Sequence, residues 1–253
     1  MSIFERKKIL FKKTTKFNHI KVIRKGNIIT LWCDDKKQTE IQLDNPLHTC
    51  LEYSQNCLLA LAFHPDPRSI LVLGLGGGAV PSILHHILEK AIIDVVEIDP
   101  EMHTVAKKYF HFSLSERLRL FINDAFFFIR DTNNNYDIVI MDAYIGNQLP
   151  QSVDNMAFLV EAARILNPKG LFVANLMTAD EKHFKNMIKR ISKIFKNIWL
   201  LPGVRSTNTL VFAARENILP SEIQKRAEWL YQKIPFESRN HTIMNQLEDE
   251  TIS

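Results

Sequence analysis

Residues 69–81 read Ser69-Ile70-Leu71-Val72-Leu73-Gly74-Leu75-Gly76-Gly77-Gly78-Ala79-Val80-Pro81, and this stretch decides the fold. A short apolar run that ends in clustered glycines and resumes as a helical pattern is a buried strand, a tight turn and a helix start. The chain has 8 glycines, and Gly74, Gly76, Gly77 and Gly78 fall within five residues of one another. Glycine is required where the backbone turns at positive φ or where a ligand approaches the main chain closely. The following helix presents free amides and a positive dipole end at that turn. Pro81 suits its first turn, where a missing amide is no loss. The predicted role is to hold an adenosine-containing cofactor. Gly74-x-Gly76-x-x-Ala79 also satisfies the dinucleotide fingerprint in its Ala variant, so a nicotinamide cofactor stays open on the motif alone.

Outward from the turn, strand and helix alternate. A helix is predicted over Val80–Leu88, a strand at Ile92–Ile98, a helix over Pro100–Phe110 and a strand at Arg117–Ile122. Next come a short helix at Phe126–Arg130, the strand Tyr136–Asp142, a helix over Asn155–Leu166 and the strand Gly170–Leu176. Such alternation means a mostly parallel sheet covered by helices on both faces. A helix at Glu181–Phe195, the hairpin-like pair IWLL and TLVFAA, and a helix at Ser221–Ile234 complete the pattern, with an antiparallel strand ending the sheet. Upstream, short strands in 19–43 predict a small antiparallel β unit, followed by an apolar helix over Leu47–Phe63 that Pro65 and Pro67 terminate. The expected organisation is a basic tail (1–16), a small N-terminal β domain (17–46), a Rossmann-like nucleoside-binding catalytic domain (47–235) and a C-terminal tail (236–253).

Charge narrows the partners. The formal net charge is +4, but Arg6, Lys7, Lys8, Lys12, Lys13 and Lys16 against Glu5 place the excess in the first sixteen residues. That segment is expected to be a solvated, mobile terminus rather than a contact surface for RNA or an anionic membrane. No run approaches the roughly 18 apolar residues of a membrane span, and a cytoplasmic location is expected. Cys33, Cys50 and Cys57 have neither CxxC spacing nor an even count, so no disulfide framework and no metal site are expected.

The strand ends carry the chemistry. In an open parallel sheet, ligands bind beyond the carboxyl ends of the strands. Glu97, in VVEIDP, lies about 20 residues past the first glycine, where a carboxylate can accept hydrogen bonds from both ribose hydroxyls. Asp99 is the second candidate, with a helix cap as its alternative role. Asp124 ends the third strand and can accept from an adenine amino group, with Ala125 leaving room for the ring; capping the next helix is the alternative. The fourth strand, YDIVIMDAY, delivers Asp142 and Tyr144 to the same edge. A carboxylate there can orient and deprotonate an attacking amine, whose pKa near 10 otherwise keeps it cationic. Burial would raise the pKa of that carboxylate.

LVLGLGGGAVPS, VVEIDPEMHTVAKKYF, the Asp124-Ala125 pair and YDIVIMDAY together resemble the spermidine synthase family, over roughly residues 17–215. The resemblance implies an N-terminal β domain joined to a class I methyltransferase-like sheet. It also implies transfer of an aminopropyl group from decarboxylated S-adenosylmethionine to putrescine, releasing methylthioadenosine, and a homodimer. On this resemblance Glu97 is the ribose ligand, Asp124 and Ala125 form the adenine site and Asp142 is the catalytic acceptor. Asn18 falls where the family has a glutamine near the nucleoside, and Pro150 where it keeps a proline after the catalytic strand. Tyr53 and Tyr144 are expected on the substrate side. Three positions depart from the pattern. Gly77 replaces the aspartate of GGGDG that helps hold the aminopropyl end. Ile145 replaces the second acid of the DSSDP-like loop, and Glu52, Tyr53 and Ser54 stand where a His-Glu pair is expected. A methyltransferase using intact S-adenosylmethionine, or a nucleoside-binding protein without turnover, are the alternative readings. Neither a nucleic acid nor a membrane is expected as a partner.

Overall fold

A computed structural model of the chain describes residues 6–146 and 148–234. Residues 1–5, 147 and 235–253 lie outside the described residues, and with them the start of the expected basic tail and the whole of the expected C-terminal tail.

Five strands form the first sheet in chain order: β1 (Lys8–Thr14), β2 (His19–Lys25), β3 (Ile28–Cys33), β4 (Lys36–Gln42) and β5 (Asn45–Thr49). All neighbours are antiparallel. Gly26, at φ +57°, turns β2 into β3. Two expectations are corrected here. The basic segment is not a mobile tail, because Lys8–Thr14 pairs with β2 from Lys8↔Arg24 to Thr14↔His19. Its lysines face solvent on an edge strand, a placement that hinders edge-to-edge association. The helix expected from Leu47 starts later: 45–49 is strand, followed by two short helices, α1 (Glu52–Cys57) and α2 (Ala60–Phe63). β5 continues the antiparallel pairing, with Ile41 opposite Thr49.

The second sheet has seven strands. β6 (Ser69–Leu73), β7 (Ile92–Glu97), β8 (Leu118–Ile122), β9 (Tyr136–Met141) and β10 (Leu166–Met177) are parallel, and β11 (Asn197–Pro202) and β12 (Asn208–Ala214) complete it. The spatial order is β11-β12-β10-β9-β6-β7-β8. The antiparallel strand is not at the edge as expected. β12 lies between β10 and β11 and runs opposite to both. Helices α3 (Ala79–Ile87), α4 (Pro100–Tyr109), α5 (Ala125–Asp131), α6 (Met156–Arg164), α7 (Glu181–Ile191) and α8 (Pro220–Lys233) follow or bridge the strands.

Period-two alternation sends each strand's apolar residues to both faces, as expected for a sheet covered on both sides. Ile70, Val72, Ile93, Val95, Ile138 and Ile140 join a core that includes Ile20, Val22, Ile29 and Leu31 of the first sheet. Leu71, Leu73, Val96, Val139 and Met141 face the other core with Phe158 and Leu159 of α6. The first core therefore runs continuously from the small sheet into the large one, and this fixes β4 against the glycine turn.

Candidate active site

The site lies where β6, β7 and β9 end. After β6 the chain turns close against the end of the neighbouring strand β9, and Gly74 (φ +100°) permits this: a Cβ there would overlap the backbone carbonyl of Asp142. Gly76 (φ +54°) and Gly78 (φ +80°) also need positive φ, and Gly78 packs against the Phe112 ring and opens α3. One cavity is lined by Asn18, Gly74, Gly76, Glu97, Asp142 and Tyr144, with Tyr53 beside them. A second, on the far side of Gly74 and Glu97, is lined by Asp124, Ala125, Pro150 and Val153. The structure thus brings together nearly all the residues expected from sequence. Gly77 and Gly78 line neither cavity; Gly77 packs against Thr39 and Gly78 against Phe112.

Glu97 is buried, and its carboxylate accepts the Leu75 N–H at 2.9 Å and the Asp99 N–H at 2.8 Å. It braces the glycine turn while it borders both cavities. Burial raises its pKa, against the lowering effect of those backbone donors. Asp99 caps α4 through the Glu101 N–H at 3.0 Å and accepts the Thr15 hydroxyl at 2.5 Å. Of the two roles expected for Asp99, the structure shows the cap. Asp124 also caps its helix, accepting from the Phe126 N–H at 2.8 Å, while facing the second cavity beside Ala125. The two roles foreseen for Asp124 are compatible. The Asn18 side-chain oxygen accepts the Gly146 N–H at 3.1 Å, tying the first sheet to the loop after β9.

Asp142 borders both the inner cavity and a wider groove of about 390 Å³. The residue is half-buried, with protein enclosing the carboxylate except where these spaces open. That enclosure pushes its pKa up to about 7, with the Glu97 charge adding to the rise and a hydrogen bond from Asn175 opposing it. The Asn175 Nδ2 donates to Asp142 Oδ1 at 2.7 Å. The Tyr144 hydroxyl donates to the Asn175 carbonyl and accepts the Met177 N–H, each at 3.0 Å, so its polar end is anchored on β10 and its ring lines the site. The Tyr53 hydroxyl donates to the Gln38 carbonyl at 2.6 Å, and burial holds its pKa well above the usual phenol range.

The groove is polar and of mixed charge. Lys36, Lys37 and Arg205 face it with Glu40, Glu52 and Asp142. Glu40 pairs with Lys37 at 2.7 Å. Glu52 accepts the N–H groups of Val204 and Arg205, each at 2.9 Å, and so holds the β11–β12 turn over the groove. Sequence reading missed Gln38, Thr39, Asn175 and Asn208. Asn175, a lone amide in the apolar strand GLFVANL, was detectable as a polar group that needs a partner. Thr39 sits in an ordinary alternating strand and carried no signal.

The strand order, the glycine turn after β6 and the carboxylates at successive strand ends define the class: a methyltransferase-like α/β fold preceded by a small antiparallel β domain. Residues 57–204 match the spermine/spermidine synthase domain. The chain belongs to that family. It is 29% identical over 204 residues to a polyamine aminopropyltransferase of Vibrio vulnificus, covering 78% of this chain and 68% of that protein. It is also 29% identical over 184 residues to the human eEF1A lysine and N-terminal methyltransferase, covering 65% of this chain but only 26% of the relative. Human methyltransferase-like protein 13, solved in complex with SAH, superposes with a TM-score of 0.68 at 25% identity, over 79% of this chain and all of that one.

Proposed function

We propose that the protein transfers an aminopropyl group from decarboxylated S-adenosylmethionine to an amine such as putrescine, in the manner of the family's aminopropyltransferases. The observation that carries this reading is the Asp142 carboxylate, with a pKa of about 7, at the junction of the inner cavity and the polar groove. Glu97 holds the ribose and the Asp124-Ala125 cavity takes the adenine. Asn18 and Pro150 close the nucleoside side, and the Tyr53 and Tyr144 rings flank the acceptor.

In the reaction the amine nitrogen attacks the propyl carbon bonded to sulfur. The new C–N bond forms as the C–S bond breaks, and the sulfonium becomes the neutral thioether of methylthioadenosine. The proton shed by nitrogen passes to Asp142, which at neutral pH is divided between its two forms and so can accept it and release it to solvent. Alignment of nitrogen, carbon and sulfur supplies much of the acceleration.

A second reading is methyl transfer from intact S-adenosylmethionine to an amine. It is favoured by Gly77, which leaves no acid on the glycine turn to oppose the donor's carboxylate, and by the methyltransferase relatives. Incubation with putrescine and either donor separates the two: methylthioadenosine release supports the first and S-adenosylhomocysteine the second. Absence of both products, with nucleoside binding retained, contradicts both.

A further inference from the structure

We propose that Thr39 is a specificity-determining residue for the donor: from the N-terminal sheet it fills the space that a side chain at position 77 would occupy. The donor's three-carbon arm then meets neutral groups, and the charge at its end is read weakly. This inference rests on the inner cavity being the donor site.

Of the four clustered glycines, Gly77 alone lacks a positive φ. Position 77 therefore lacks the left-handed φ that favours glycine at the other three, and the bar to a side chain there is steric. A Cβ at 77 would lie 2.8 Å from both Cβ and Cγ2 of Thr39 and 2.9 Å from its Oγ1, closer than real Cβ atoms approach. Thr39 is buried and held on both sides of its hydroxyl. Its Oγ1 accepts the Gly77 N–H at 2.8 Å and donates to the Gln38 carbonyl at 2.7 Å. A β-bulge puts it there. Leu31 pairs with Thr39 and Trp32 with Lys37, which leaves Gln38 as the extra residue on β4. Bulges redirect neighbouring side chains. The freed Gln38 carbonyl also receives the Tyr53 hydroxyl, so β4, α1 and the glycine turn are joined at one point.

The position of the arm follows by elimination. The nucleoside end is set by Glu97 and the cavity at Asp124, and the carbon to be transferred must face Asp142. The rest of the inner cavity is lined by apolar side chains such as Val72, Met102 and Ile140 and, on the side of the N-terminal sheet and α1, by Gln38, Thr39, Tyr53 and Ser54. Apart from Glu97 and Asp142, no carboxylate lines it among the described residues. A hydroxyl, a peptide carbonyl and an amide distinguish an ammonium from an ammonium-carboxylate pair far less than a carboxylate does.

The test measures dissociation constants of the full chain for methylthioadenosine, which lacks the arm, and for decarboxylated and intact S-adenosylmethionine. Wild type, T39G, G77D and T39G/G77D are compared. Wild type should bind the two donors within about tenfold of each other. G77D should lose all three ligands through the clash with Thr39. T39G/G77D should regain methylthioadenosine and favour the decarboxylated donor by at least about tenfold more than wild type does, the contribution of one charge-assisted hydrogen bond. The proposal is overturned if wild type separates the donors by more than about 100-fold, or if G77D alone binds normally. It also falls if the double variant binds methylthioadenosine with an unchanged donor ratio, or if T39G keeps that ligand while the double variant does not. Failure of wild type to bind methylthioadenosine overturns instead the donor-site reading, and this inference with it.

Discussion

Asn175 donates from Nδ2 to Asp142 Oδ1 at 2.7 Å, and its own Oδ1 accepts the Nδ2 of Asn208 at 2.8 Å. The amide of Asn208, on the antiparallel strand β12, therefore fixes which end of Asn175 faces the carboxylate. A chain of two amides across neighbouring strands is thus directed at Asp142. An N–H donor favours the ionised carboxylate and opposes the effect of burial.

Loss of that donor should move the pH profile. Asn175→Ala is expected to raise the Asp142 pKa above about 7 and shift the rising limb of kcat/KM to higher pH. One charge-assisted hydrogen bond, about 1.5–3 kcal/mol, corresponds to a shift of roughly 1–2 pH units. Initial rates between pH 5.5 and 9.5 check this, and a limb in the wild-type position contradicts it.

The same carboxylate makes stability depend on pH. Its folded pKa, about 7, lies above the 3.8 of an unperturbed aspartate, so the folded state binds the proton more tightly than the unfolded state does. This contribution is fully present below the unfolded value and is lost as pH rises through about 7. Asp142→Asn cannot ionise and should be relieved of the loss. Its stability relative to wild type should rise by on the order of 2–4 kcal/mol between pH 4 and 8. Urea denaturation of both proteins at the two pH values measures the difference.

These residues also show what sequence can and cannot carry. The strands β6 to β9 were legible because continuous Val, Ile and Leu runs between turn signals leave few alternatives, and Glu97, Asp124 and Asp142 were legible because they end such runs. The strand Lys8–Thr14 was not, because Lys8, Lys12 and Lys13 within it and Arg6, Lys7 and Lys16 beside it read as a tail, while its pairing partner is a separate segment. The α1 start was hidden because Leu47 and His48 extend an apolar pattern that β4 captures as strand. Thr39 was hidden more deeply, since its importance comes from a bulge at Gln38 and from a glycine 38 residues away.

Close approach at the glycine turn should be intolerant of a single methyl. Gly74→Ala places a Cβ on the Asp142 carbonyl and requires a positive φ from an L residue. Both β6 and β9 would have to shift, with an expected cost of about 3 kcal/mol or more and loss of nucleoside binding. Thermal denaturation and methylthioadenosine titration of the variant test this.

The Glu52 clamp should govern the acceptor rather than the nucleoside. Glu52→Gln keeps the shape but removes the charge that receives the Val204 and Arg205 N–H groups. Loosening of the 203–206 turn over the groove is expected to raise KM for the amine about three- to tenfold, with methylthioadenosine affinity unchanged, as for loss of about 1 kcal/mol of hydrogen bonding. Steady-state kinetics with the amine varied at saturating donor separate the two effects.

The most direct test of the proposed reaction is chromatographic measurement of methylthioadenosine formed from decarboxylated S-adenosylmethionine, with and without putrescine, by wild type and Asp142→Asn. The account predicts product that depends on the amine and falls by at least about 100-fold in the variant, the usual scale for loss of a general base. Equal product formation by Asp142→Asn, or none by wild type under conditions where methylthioadenosine binds, would contradict it.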